Sequence, residues 1–213
     1  MSFLPELSVI LQFAVATLVI SITPGPDMTL FVGRALAQGR AAGLACMAGA
    51  MTGIMIHTLL VALGLSALIL ASPQAFLALK TVGALYLVWL AWQAIAKGSA
   101  FSPSGEAGPR RSLLRNWATG LGINLLNPKI VLFFMTFLPQ FVAASDPDAP
   151  QKMLFLGLFF IVVALPVVVP MVLAADAFSN LLRRAPRVTR VIDYLFAGLF
   201  SAYALRILTA SVR

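Results

Sequence analysis

The first membrane span of this chain is interrupted in its middle. From about Val9 to Val32 the sequence is apolar enough to sit in a bilayer, yet Thr23, Pro24, Gly25, Pro26 and Asp27 lie at its centre. Each proline removes a backbone donor, the glycine admits non-helical angles, and the aspartate brings a charge to membrane depth. Backbone groups opened this way find no water in hydrocarbon, so the break must face a cavity or the inside of a helix bundle. A second interruption, Asn127, Pro128 and Lys129, falls in a later apolar stretch. Broken helices in corresponding positions of two halves point to a substrate site where the halves meet.

With 61% hydrophobic and 10% charged residues and a mean hydropathy of +0.97, the 213-residue chain departs far from soluble domains, which are about half apolar and a quarter charged. Six stretches, roughly 7–33, 42–71, 75–96, 116–142, 152–176 and 190–210, approach or exceed the ~20 residues that cross a bilayer at ~1.5 Å each. The expectation is an all-α integral membrane protein with six transmembrane helices, of which helices 1 and 4 are broken. No Lys or Arg precedes Arg34 and the first apolar run outlasts a signal h-region, so it reads as a retained span.

Basic residues orient the spans. Arg34 and Arg40 fall in the first connection, Lys97, Arg110, Arg111 and Arg115 in the third, and Arg183, Arg184, Arg187 and Arg190 in the fifth. This excess marks one face as cytoplasmic and leaves both termini outside the cytoplasm. The turn-rich segment 98–115, with Pro103, Gly105 and Pro109, divides the single domain 1–213 into repeats 1–97 and 116–213. Three spans per half give the halves opposite orientations, the geometry of inverted three-helix repeats. In register, Gly25–Phe31 matches Asn127–Phe133 at Pro, Leu and Phe, and Asp27 faces Lys129. Because the formal charge of +8 resides in the connections and not in an interleaved basic and aromatic surface, nucleic acid is not expected as a partner. The single cysteine, Cys46, excludes an internal disulfide and a cysteine metal cluster.

Asp27 would open the half-helix after the first break, where a carboxylate suits the positive end of the helix dipole. Lys129 holds the equivalent place, where an ammonium is disfavoured and calls for an anion: Asp27 in a permanent ion pair, a substrate carboxylate, or each in turn. Carbonyls before Pro24 can accept from an ammonium, and N–H groups after Pro128 can donate to a carboxylate, so the site suits a zwitterion. Amino acids are the obvious class.

Two stripes at i, i+4 spacing accompany the breaks. Ala45, Gly49, Gly53 and His57 run along the second span, where small residues let helices approach closely and His57 either relays protons or hydrogen-bonds a neighbouring helix. Asn116, Gly120, Asn124 and Pro128 run along the fourth, where Asn124 and Asn127 either line a path or bond between helices. Pro166 and Pro170 are expected to kink the fifth span, Asp176 to sit beside an arginine-rich loop, and Trp89 and Trp92 to join an aromatic belt. One histidine without a clustered partner makes a metal site improbable, and no cofactor is expected. No nucleophile is assembled with a base and no phosphate-cradling loop occurs, so neither an enzyme nor an ATP-driven pump is expected.

The segment Ile22–Met28, then Gly49, Gly53, His57 and Gly64, and finally Asn127, Pro128 and Lys129, resemble the lysine exporter and homoserine/threonine efflux family (LysE/RhtB) over nearly the whole chain. The resemblance implies a secondary exporter of amino acids or their derivatives in the cytoplasmic (inner) membrane, driven by exchange with protons, with Pro24, Gly25, Pro26, Asp27, Asn127, Pro128 and Lys129 at the motif positions. Two repeats rocking around the breaks would give alternating access, with Asp27 coupling protons and His57 as relay. An inorganic cation exporter of a related family is the alternative cargo class, and a non-transporting scaffold is the rival of a different kind. Exposed small-residue faces leave room for a homodimer.

Overall fold

The computed structural model describes residues 4–65, 111–143 and 146–210, with single positions between 74 and 96. Helix α1 (Leu7–Ile22) ends at the first break and α2 (Pro26–Gln38) resumes beyond it at an angle of 51°. Gly39 alone joins α2 to α3 (Arg40–Leu59), with φ 92° in the left-handed region that favours glycine. The end of α3 widens into π turns over Leu60–Leu65. Helix α4 (Leu113–Leu126) starts under a Ser112 cap whose hydroxyl accepts from Arg115 N at 3.3 Å. Past Asn127, α5 (Pro128–Leu132) leads into a π turn (Phe133–Phe137) and a 3-10 turn (Leu138–Phe141), and this half is bent by 54° from α4. Helices α6 (Ala149–Leu173), α7 (Ala175–Arg184) and α8 (Pro186–Ala210) complete the described chain, in which every element is helical.

Arg40–Gly64 and Ala149–Leu173 are each long and apolar enough to cross a membrane, and the two bent pairs bring the candidate spans among the described residues to four. Both breaks fall where the prolines place them. The expected third span, 75–96, with Trp89 and Trp92, lies largely outside the described residues. At 25 residues α8 has the length of the expected sixth span, but Arg187, Arg190 and Asp193 make its first turns polar. The arginine-rich loop expected after the fifth span is instead helix α7, which buries Ala175, Ser179 and Leu182 and exposes Asp176, Asn180 and Leu181. Its polar sequence disguised an amphipathic turn pattern. Pro166 and Pro170 lie inside α6, which is continuous through both.

Gln38 Oε1, at the end of α2, accepts from Arg111 N at 3.1 Å and Asn116 Nδ2 at 3.4 Å, and α7 packs on α2. The α2–α3 junction, Arg111 and helix α7 therefore gather at one end of the bundle. At the far end of the α4–α5 unit, Lys152 Nζ donates to Asp146 Oδ2 at 2.6 Å. That bond holds the Asp146 carboxyl below its ordinary value of 3.8, so what it contributes is present above that pH and is lost as acid protonates the carboxylate.

The tightest contact is between α3 and α4. A methyl on Gly49 would strike the Trp117 carbonyl oxygen, and one on Gly120 the Cys46 carbonyl oxygen, so the two backbones touch. The two small-residue stripes of the sequence are thus the two halves of one interface. Around it lies a phenylalanine-rich core in which Phe13, Phe133, Phe134 and Phe137 are fully buried. Gly120→Ala is expected to lower stability by about 1–3 kcal/mol through overpacking. Gly122→Ala, two residues on and facing open space, is expected to be neutral or stabilising by up to about 1 kcal/mol. Thermal unfolding of the two variants in detergent separates these outcomes.

Candidate functional site

The first break creates acceptors. Pro24 has no N–H to give the Ile20 carbonyl, and Thr23, which bonds back to Val19 O through both its N–H (3.1 Å) and its hydroxyl (2.6 Å), ends α1. The Ile20 and Thr23 carbonyls are left facing the bundle. Lys129 Nζ reaches across from the second break and donates to both, at 3.3 and 2.9 Å. The ammonium expected to seek an anion therefore sits at the negative end of a half-helix. No direct contact between Lys129 and Asp27 closes, and the permanent ion pair weighed from the sequence is not the arrangement seen.

Gly25 gives the break space. Its backbone is extended, φ −171°, which any residue adopts, so the conformational freedom expected of it is not what the break uses. A Cβ there would stand 3.0 Å from Lys129 Nζ, and the glycine lets the ammonium approach. Pro26 then opens α2 with Asp27 in its first turn.

The second break works through asparagines. Asn127 caps α5, its Oδ1 accepting from Lys129 N at 3.1 Å. Pro128 deprives the Asn124 carbonyl of its helical donor, and Asn127 N takes that place at 3.1 Å. The Asn124 side chain turns to the other half and gives Nδ2 to Asp27 Oδ2 at 2.7 Å. Gly53 makes the room, since a methyl there would collide with Asn124 Oδ1.

These groups border a cavity of about 50 Å³ among α1, α2, α3, α4, α5 and α6. Ser21, Thr23, Asp27, Asn124 and Lys129 form its polar part. Four buried polar atoms around it, Asp27 Oδ1, Asn124 Oδ1, Asn127 Nδ2 and Ser21 Oγ, have no hydrogen-bond partner. An unsatisfied buried polar atom costs about 1–3 kcal/mol, so the site is built to receive something that bonds. The volume admits water but falls below the roughly 300 Å³ of ordinary ligand pockets, so the site is contracted.

Of the residues singled out in the sequence, Thr23, Asp27, Asn124 and Lys129 line the cavity. Pro24, Gly25, Pro26, Asn127 and Pro128 shape the breaks behind it. His57 is buried outside the lining, its ring 6.0 Å from that of Phe134, next to the Asn124 backbone and within electrostatic reach of Asp27. Neither ring nitrogen makes a well-formed hydrogen bond. Sequence reasoning missed Ser21, and it missed the apolar wall supplied by α6, where Phe160, Ala164, Val168 and Val172 recur every fourth residue.

Two broken helices closing on one buried polar cavity, in a bundle of apolar helices, define a membrane protein built as a transporter. The chain belongs to the LysE type translocator family, whose model matches residues 18–211. It is 29% identical over 188 residues to the homoserine/homoserine lactone efflux protein of Salmonella typhimurium, covering 88% of this chain and 90% of that one. A leucine efflux protein of an Enterobacter species is 24% identical over 199 residues, 92% of each chain. A membrane protein of Vibrio cholerae is 29% identical over 208 residues, 96% of this chain and 98% of its own. No solved structure matches.

Asn124→Leu keeps the branched side-chain skeleton, at a larger volume, but takes away the hydrogen bond to buried Asp27. A loss of about 1–3 kcal/mol is expected, against about 1 kcal/mol for Asn127→Ala, which removes only a helix cap. Equal stability losses for the two variants in detergent would contradict the ranking.

Proposed function

We propose that this protein is a secondary active exporter of amino acids or amino-acid derivatives across the cytoplasmic membrane, exchanging its cargo for protons by alternating access. One observation carries the reading: the orphaned carbonyls of the first break and the opposite charges of the two breaks, Asp27 and Lys129, meet at one buried cavity. The activities of similar chains, efflux of homoserine and homoserine lactone and efflux of leucine, support the amino-acid class.

In this reading the cargo's ammonium takes the Ile20 and Thr23 carbonyls together with Asp27 Oδ1, and frees Lys129 to meet the cargo's carboxylate alongside Asn127 Nδ2. Asp27 carries the coupling proton, with His57 as its relay. The matched bends of 51° and 54° are the pivots of two inverted three-helix repeats, 1–97 and 116–213, joined by the cytoplasmic segment 98–115. The basic end of the bundle faces the cytoplasm and both termini lie outside it.

Counterflow of labelled amino acids in proteoliposomes, with and without a pH gradient, tests this directly. Flux is expected to rise with the gradient and to fall at least about tenfold in Lys129→Ala, the cost of one lost charge-assisted bond of about 1.4 kcal/mol or more. Asp27→Asn is expected to lose the response to the gradient. Undiminished, gradient-driven flux in both variants would overturn the proposal. Transport of divalent metal ions in place of amino acids would favour the inorganic-cation alternative.

A further inference from the structure

The cavity is polar at one pole and apolar over the rest of its wall, and the division follows the elements. Ser21, Thr23, Asp27, Asn124 and Lys129 come from the two breaks and the turns beside them. Everything contributed by α3 and α6 is hydrocarbon or thioether. On α6 the wall is one stripe, Phe160, Ala164, Val168 and Val172, and α3 adds Met51 and Ile54.

This arrangement constrains a cargo whose ammonium and carboxylate are held at the breaks, because its side chain must then lie against the apolar rest of the wall, of which α3 and α6 form the larger part beside Met28, Phe31 and Val32 of α2. A cationic side chain would find no second acid: among the described residues Asp27 is the lining's one carboxylate, and Asn124 already bonds one of its oxygens. Burying an unpaired ammonium against hydrocarbon is prohibitively unfavourable. A hydroxylated side chain laid on α3 and α6 would lose its water and gain no partner there, since neither helix presents a polar group to the cavity and the unpaired Ser21 Oγ lies at the polar pole. An aliphatic or thioether side chain loses nothing there, and flexible Met51 and Met171 can adapt to its shape as the contracted cavity widens.

We infer that the cargo is a neutral amino acid with an aliphatic or thioether side chain, of the size of leucine or methionine, seated against the Phe160–Val172 stripe of α6. The inference rests on the amino-acid export reading and narrows it.

The full chain reconstituted in proteoliposomes, assayed by counterflow with labelled leucine, methionine, threonine, homoserine and lysine, tests it. Leucine and methionine are expected to exchange, threonine and homoserine at least about tenfold less, and lysine at background. Val168→Thr, nearly isosteric, puts a hydroxyl on the wall and is expected to lower the leucine-to-threonine ratio several-fold. Val162→Thr, on the exposed side of the same helix, should leave the ratio unchanged. Val168→Ala, which keeps the wall apolar, should weaken leucine exchange without admitting threonine. Lysine or homoserine exchanging as well as leucine would overturn this inference and leave amino-acid export standing. A leucine-to-threonine ratio indifferent to Val168→Thr would overturn the seat on α6. Exchange of none of the five would remove the export reading and this inference together.

Discussion

A backbone carbonyl that loses its helical donor at membrane depth has no water to turn to, and leaving it bare costs several kcal/mol. Pro24 imposes that condition on Ile20, and the structure answers it with an ammonium from another helix, Lys129. Much of the local architecture follows from this bond. Gly25 leaves the ammonium of Lys129 a close approach, Asn127 caps the helix that carries Lys129, and the two breaks lie side by side. Asp27, relieved of a direct ion pair, is held by Asn124, and Asn124 in turn needs Gly53 beneath it.

The backbone contact of α3 with α4 serves the same end. Gly49 and Gly120 bring the two helices so close that Asn124, one turn past Gly120, and His57, two turns past Gly49, stand next to each other and to Asp27. Tight packing and polar chemistry are consecutive steps along the same pair of stripes. The cavity that results measures about 50 Å³, so any occupant larger than a few water molecules requires it to widen.

The breaks were legible in the sequence because proline and charge stand out against an apolar span, and so were both small-residue stripes. That the stripes pack on each other was not, since spacing alone does not name a partner. The identity of Lys129's acceptor was also hidden: from its position the ammonium called for an anion, either Asp27 or a substrate carboxylate, whereas the orphaned carbonyls of α1 become its partners only once the helices are placed in space. The α6 wall left no trace because its cavity-facing and lipid-facing residues are equally apolar, which erases the contrast that periodicity needs. Helix α7 was obscured for the opposite reason, its exposed polar face dominating a ten-residue segment.

The junction at Gly39 has a mechanical meaning. Gly39 is the single residue between α2 and α3, and α3 packs backbone to backbone on α4. Any shift of α2 relative to α4 therefore has to pass through one glycine. On its other side α2 is parted from α1 by Thr23, Pro24 and Gly25, and Lys129 ties that gap to the second break.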